Sequence, residues 1–139
     1  MMTRHKGFTL MEIILVVVII GMLAAIVMPS VDDVVNKARI ATARSELASL
    51  KDALTRYEAA AAAYPTTAEG LEALVEKPAS WPEDVPWQRF LDRRSVPADP
   101  WNEDYVYRCP GTLNPNSYDL LSKGPDRTED TDDDIDLTE

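Results

Sequence analysis

Lys6-Gly7-Phe8-Thr9-Leu10-Met11-Glu12, followed by Ile13-Ile14-Leu15-Val16-Val17-Val18-Ile19-Ile20-Gly21-Met22-Leu23-Ala24-Ala25-Ile26-Val27-Met28, is the stretch that decides the fold. A short basic leader (Arg4, His5, Lys6) ends at Gly7, and the apolar run from Phe8 to Met28 carries one charge, Glu12. As a helix this run is about 31 Å long at 1.5 Å per residue, roughly the thickness of bilayer hydrocarbon. A cleavable secretory signal has a shorter apolar middle ending in small residues; Ala24-Ala25 is a weak site of that kind, and the apolar residues continue past it. A plain membrane anchor fits the length and the basic flank, which keeps that end cytoplasmic. It leaves Glu12 unexplained, because a lone carboxylate in an apolar span is costly and needs a partner.

Working outward, Pro29 should kink or unwind the turn from Ala25 to Pro29, or else open the next helix at its first turn. From Val31 to about Ala63 the chain reads as a long helix. Ile40, Ala43, Leu47, Leu50, Leu54 and Tyr57 recur at steps of three and four and make one apolar stripe. Asp33–Lys37 and Asp52–Arg56 are acid-before-base pairs at i,i+4. Tyr64-Pro65 ends the helix. Thr66 or Thr67 is expected to cap a short helix through about Glu76, closed by Lys77-Pro78. The segment with Trp81, Pro82, Pro86 and Trp87 reads as a packed surface loop. Tyr105–Cys109 and Ser117–Ser122 alternate like strands around the turn Pro110–Asn116. The sum is an α+β arrangement: a long helix on a small antiparallel sheet.

The chain has 139 residues, with 14 Lys+Arg against 24 Asp+Glu and a net charge of -10. It is long enough for one modest domain plus an anchor. Without a basic stripe to meet phosphates, nucleic-acid binding is excluded as a reading. The single cysteine, Cys109, cannot make an internal disulfide and reads as a small strand residue. His5 is the only histidine and lies in the leader, so a Ser-His or Cys-His pair has no base in a processed chain. The tail from Gly124 to Asp136 gathers many carboxylates. Left alone they repel and make a solvated tail. A hard cation such as calcium would instead draw carboxylates and carbonyls together. No EF-hand register is present, since the glycine at position six and the glutamate at position twelve are both missing.

Gly7-Phe8 with Glu12 four residues on, ahead of an apolar helix, resembles the processing site of type IV pilins and pseudopilins. Tyr64-Pro-Thr-Thr, Gly70-Leu71-Glu-Ala-Leu74, Asp99-Pro-Trp101, Tyr105-Val-Tyr107 and Ser122-Lys-Gly-Pro-Asp126 are similar, in order, to the major pseudopilin family of the type II secretion system. The resemblance implies a type IV pilin-like α+β fold in three parts: a cleaved leader (1–7), a transmembrane and assembly helix (8–29) and a periplasmic domain (30–139). That domain holds a helix (31–63), a loop with a short helix (64–95), and a sheet with a calcium loop (96–139). It implies cleavage after Gly7 by a prepilin peptidase, N-methylation of Phe8, and a role for Glu12 in assembly against a neighbour's Phe8 amine. It also implies a calcium site at Asp126, Asp133 and Asp134, with carbonyl oxygens of Lys123, Thr128 and Thr131 completing the shell.

The implied function is non-enzymatic. The chain would be a subunit that polymerises with its own copies into a periplasmic pseudopilus, alongside minor pseudopilins and the inner-membrane platform, and is stored in the inner membrane beforehand. The alternatives are the major pilin of a type IV pilus, which usually carries a disulfide loop absent here, and a signal-anchored periplasmic binding domain. This chain departs from the family pattern at Asn102 and Arg127, where glycine is usual, and in a tail that stops soon after Ile135.

Overall fold

The structure, a computed structural model, describes residues 7–137, the side chains at 27–30 excepted. Helix α1 spans Leu10–Ala61. Thr9 caps its start: its Oγ1 accepts the Glu12 N–H at 3.2 Å, and its carbonyl accepts the N–H groups of Glu12 and Ile13. Glu12 thus occupies the third helical position, where a carboxylate also suits the helix dipole. The helical assignment passes through Pro29, so the expected local unwinding is absent; one missing N–H removes one bond from a ladder that its neighbours carry. The compact units divide between Lys37 and Ala38.

In the first unit, the described side chains from Phe8 to Ile26 are all exposed. No charge but Glu12 interrupts this apolar surface, and its helix is long and apolar enough to cross a membrane. Nothing lies within 4 Å of where a Gly21 Cβ would stand, so that glycine marks no close approach within the chain.

In the second unit, the predicted stripe of α1 is the floor of the core. Ala43, Leu47, Leu50, Ala53, Leu54 and Tyr57 are buried and Ile40 packs at the edge. Each fully buried leucine contributes about 1.5–3 kcal/mol. The stripe's partner is the rest of this chain. Trp81 and Phe90 close on Tyr57 with ring centroids at 5.0 and 5.2 Å, and Trp81 donates its Nε1–H to the Val85 carbonyl at 2.8 Å. Trp81 is therefore a core residue, not the surface-loop residue expected, because the loop folds its ring inward. The charged i,i+4 pairs do not form. Among the described residues the ion pairs are Arg93–Glu46 and Arg108–Glu129, and Arg56 donates instead to the Phe90 carbonyl at 2.8 Å.

The helix stops two residues early, at Ala61. Ala62 turns into the left-handed region at φ 61° while its N–H still reaches the Glu58 carbonyl at 2.8 Å, a C-terminal cap that glycine usually provides. The expected short helix at 66–76 is a turn followed by a 3-10 turn, Leu71–Leu74. A capping box does form, with the Thr66 N–H donating to Glu69 Oε2 at 2.8 Å and the Glu69 N–H to Thr66 Oγ1 at 3.4 Å. Gly70 then breaks it, at φ 63°. Strands β1 (Val106–Arg108) and β2 (Asp119–Leu121) pair antiparallel with Tyr107 opposite Leu120. They are shorter than the sequence suggests, and Cys109 lies just past β1, half-buried, exchanging bonds with Thr67.

Candidate functional site

Two places carry the predicted functional residues, one in each unit. At the first, Gly7 and Phe8 form an exposed coil directly ahead of the Thr9 cap. Phe8 is 76% exposed. The Gly7–Phe8 bond is thus outside any helix and reachable, and α1 begins two residues beyond Phe8. Glu12 is exposed on the first turn of α1. Arg4, His5 and Lys6 lie outside the described residues.

The second place is the C-terminal loop, and its base is built by the Asp99-Pro-Trp101 turn. Asp99 is buried, and its Oδ1 accepts the N–H groups of Trp101 and Glu103 at 3.0 and 2.9 Å. The Ser122 hydroxyl donates to Asp99 Oδ2 at 2.6 Å, and Ser122 Oγ in turn accepts the Gly124 N–H at 3.2 Å. Ser122 pairs with Ile135 through two backbone bonds of 2.9 Å. Gly124, at φ 67°, lets the chain cross its own return: a Cβ there would stand 2.0 Å from the Asp133 carbonyl oxygen. The loop between is shaped by short bonds. Asp126 Oδ1 accepts the Thr128 N–H at 2.9 Å, the Thr131 carbonyl accepts the Asp134 N–H at 3.2 Å, and Asp134 Oδ2 accepts the Asp130 N–H at 2.8 Å. From outside, the Arg108 guanidinium pairs with Glu129.

The loop's donor set is entirely hard oxygen, the chemistry calcium takes. Asp134 Oδ1 is buried with no hydrogen-bond partner, a state that costs free energy unless something meets it. The carboxylates themselves are not gathered, since among the described residues no three His, Cys, Asp or Glu stand close enough to share an ion. Asp126 and Asp133 point to solvent and Asp134 is half-buried. Asn102 and Arg127, the two departures from glycine, both lie in the left-handed region, at φ 66° and 57°. That is the physical reason for glycine there, and asparagine meets it more easily than arginine.

One functional-looking carboxylate went unmarked in the sequence. Asp119 is buried beside the β1–β2 turn and accepts N–H groups from Thr112, Leu113 and Asn114. Burial works against its charge, but these backbone donors outweigh it and hold its pKa below the usual range. It shapes the turn. The only available signal was an aspartate in a strand that returns from a loop of Gly, Thr and Asn. Burial also pushes the Tyr105 and Tyr107 phenols far up, with the Glu46 carboxylate adding to the effect on Tyr105.

A long apolar N-terminal helix whose amphipathic continuation packs on a small antiparallel sheet defines a type IV pilin-like subunit. The profile described as type II secretion system (T2SS), protein G matches residues 30–139, and the prokaryotic N-terminal methylation motif matches residues 2–28. The chain belongs to the type II secretion system protein G family. The type II secretion system core protein G of Pseudomonas aeruginosa is 41% identical over 126 residues, covering 91% of this chain and 87% of that protein. Its Escherichia coli counterpart is 43% identical over 132 residues, covering 95% and 90%. The crystal structure of the major pseudopilin from the type 2 secretion system of enterohaemorrhagic Escherichia coli matches with a TM-score of 0.60 at 38% identity, over 72% of this chain and 82% of that one.

Proposed function

We propose that this chain is a structural subunit that polymerises into the periplasmic pseudopilus of the type II secretion system and performs no catalysis. One observation carries the reading: an exposed Gly7–Phe8 junction stands two residues ahead of an apolar helix none of whose side chains from Phe8 to Ile26 is spent on the core. That surface has to be covered by something outside the chain. Lipid covers it in the inner membrane before assembly, with the domain from residue 30 onward in the periplasm; like helices of neighbouring copies cover it afterwards. A prepilin peptidase cuts after Gly7 and methylates Phe8. The amine of Phe8 then meets Glu12 of a neighbour, since an unpaired charge buried in a bundle costs several kcal/mol, about 3–5 when a partner is removed. Minor pseudopilins and the inner-membrane platform are the remaining partners of this reading.

Calcium is the proposed ligand of the C-terminal loop, held by Asp126, Asp133 and Asp134 with carbonyl oxygens of Lys123, Thr128 and Thr131. The unpartnered Asp134 Oδ1 supports this. The ion would supply positive charge that offsets the repulsion among these carboxylates. The decisive experiment is mass spectrometry of the chain purified from membranes with and without the peptidase. A mature chain starting at methylated Phe8 is expected. An intact Met1 in the presence of the peptidase overturns the reading in favour of an ordinary anchor.

A further inference from the structure

We propose that Arg108 straps the outward limb of the acidic C-terminal loop through Glu129. The loop from Asp126 to Asp136 carries seven acidic residues and a single cation, Arg127. Arg127 is exposed and sits at a left-handed φ. Two cations outside the loop face it: Arg44 of α1 lines a cavity with Asp132, Asp134 and Asp136, and Arg108, the last residue of β1 and opposite Asp119, reaches the outward limb. Its guanidinium pairs with Glu129 near the loop's outer end.

The pair is half-exposed, with side chains 38% and 27% accessible, so its strength comes mainly from relieving like-charge repulsion. Its placement makes it consequential. The loop's base is already fixed by the Ser122–Ile135 bridge and the Gly124–Asp133 crossing, and its return limb by the Asp130–Asp134 bond. The outward limb from Arg127 to Glu129 has local turn bonds and, beyond them, this one pairing to another element among those described. Opening the pair frees that limb and leaves the rest in place.

The test is limited trypsin digestion of the full-length chain in detergent micelles with chelator. Fragments beginning at Thr128 are counted by mass spectrometry, and each rate is normalised to the same variant unfolded in denaturant. Arg108→Gln and Glu129→Gln are each expected to raise cleavage after Arg127 about threefold to fivefold. The double variant should add nothing further, and the exchange R108E/E129R should return the rate toward that of the unaltered chain. Unchanged rates in the single variants, or additive effects in the double, overturn the strap.

A calcium arm rests on the metal reading above and separates the two ideas. Faster cleavage of Arg108→Gln than of the unaltered chain in chelator upholds the strap; the lack of any calcium effect then removes the metal alone, and protection of both chains by calcium leaves both standing. Protection by calcium with Arg108→Gln matching the unaltered chain in chelator upholds the metal and removes the strap.

Discussion

The Ser122 hydroxyl donates to Asp99 Oδ2 at 2.6 Å across 23 residues of sequence, both side chains being buried. This bond joins the Asp-Pro-Trp turn to the exact point where β2 hands over to the C-terminal loop. Ser122→Ala is expected to leave a buried carboxylate oxygen one donor short, at a cost of about 1.5–3 kcal/mol. Chemical denaturation of the full chain in micelles, followed by tryptophan fluorescence, measures it. A loss no larger than a surface substitution gives would show that water replaces the hydroxyl freely.

Arg127→Gly is expected to stabilise the fold by about 1 kcal/mol, because glycine adopts the left-handed conformation that arginine holds under strain. Ala62→Gly should act in the same direction at the end of α1. Asn102→Ala should act in the opposite one, since asparagine tolerates that conformation better than alanine. Melting temperatures of the three variants decide the matter, and a lower one for Arg127→Gly contradicts it.

Calcium is expected to raise the melting temperature relative to chelator. A ligand of the folded state alone adds about 2.7 kcal/mol at a hundredfold excess over its dissociation constant. Magnesium should substitute poorly, because it demands a tighter octahedron. Asp126→Ala and Asp134→Ala should each abolish the shift. Asp130→Asn should keep most of it, and asparagine is the right control there because Asp130 stands at φ 65°. Equal behaviour of all three variants would mean that the tail is only a solvated acidic run.

Asp119 should give stability an acid limb. Its folded pKa is depressed by backbone donors that outweigh burial, so its contribution is full above the unfolded value of about 3.9 and is lost as pH falls through the folded one. Asp119→Asn should lower stability at neutral pH and flatten the decline below about pH 4. Parallel curves for the two proteins would assign the acid limb to other carboxylates.

Glu12→Val is expected to insert and to be cut normally, since the helix becomes more apolar, while filament yield falls at least tenfold through loss of the neighbour's partner, a drop of about 1.4 kcal/mol or more. Gly7→Val should leave uncut precursor in the membrane. Because Glu12 also sits in the first turn behind the Thr9 cap, Glu12→Gln separates the roles: it keeps a helix-compatible shape and removes the charge. Normal assembly of Glu12→Gln would assign the residue to the helix start alone.

The core stripe of α1 was legible from spacing alone because Ile40 to Tyr57 lies in one regular helix, where the period of 3.6 converts directly into a face. The strands and their turn were legible from alternation and from Pro110-Gly111. What escaped was set by single backbone conformations. Gly70 cut short a helix that its own capping box favoured, and Ala62 ended α1 without the glycine that usually announces an end. Local chemistry that reads correctly over four residues was overruled by the next one. At the candidate sites, the order of Asp126, Asp133 and Asp134 was readable, yet the path of the loop between them was not, because it turns on the left-handed Gly124 and its close crossing of Asp133.

No described side chain before Ile40 belongs to the core cluster. The exposed apolar side chains from Phe8 to Ile26 and the residues of the folding core are therefore disjoint sets. Substitutions drawn one from each should combine additively, within about 0.3–0.5 kcal/mol. The anchor can then be retuned to a membrane of different thickness, or to a different neighbour, without selecting again for a folded domain.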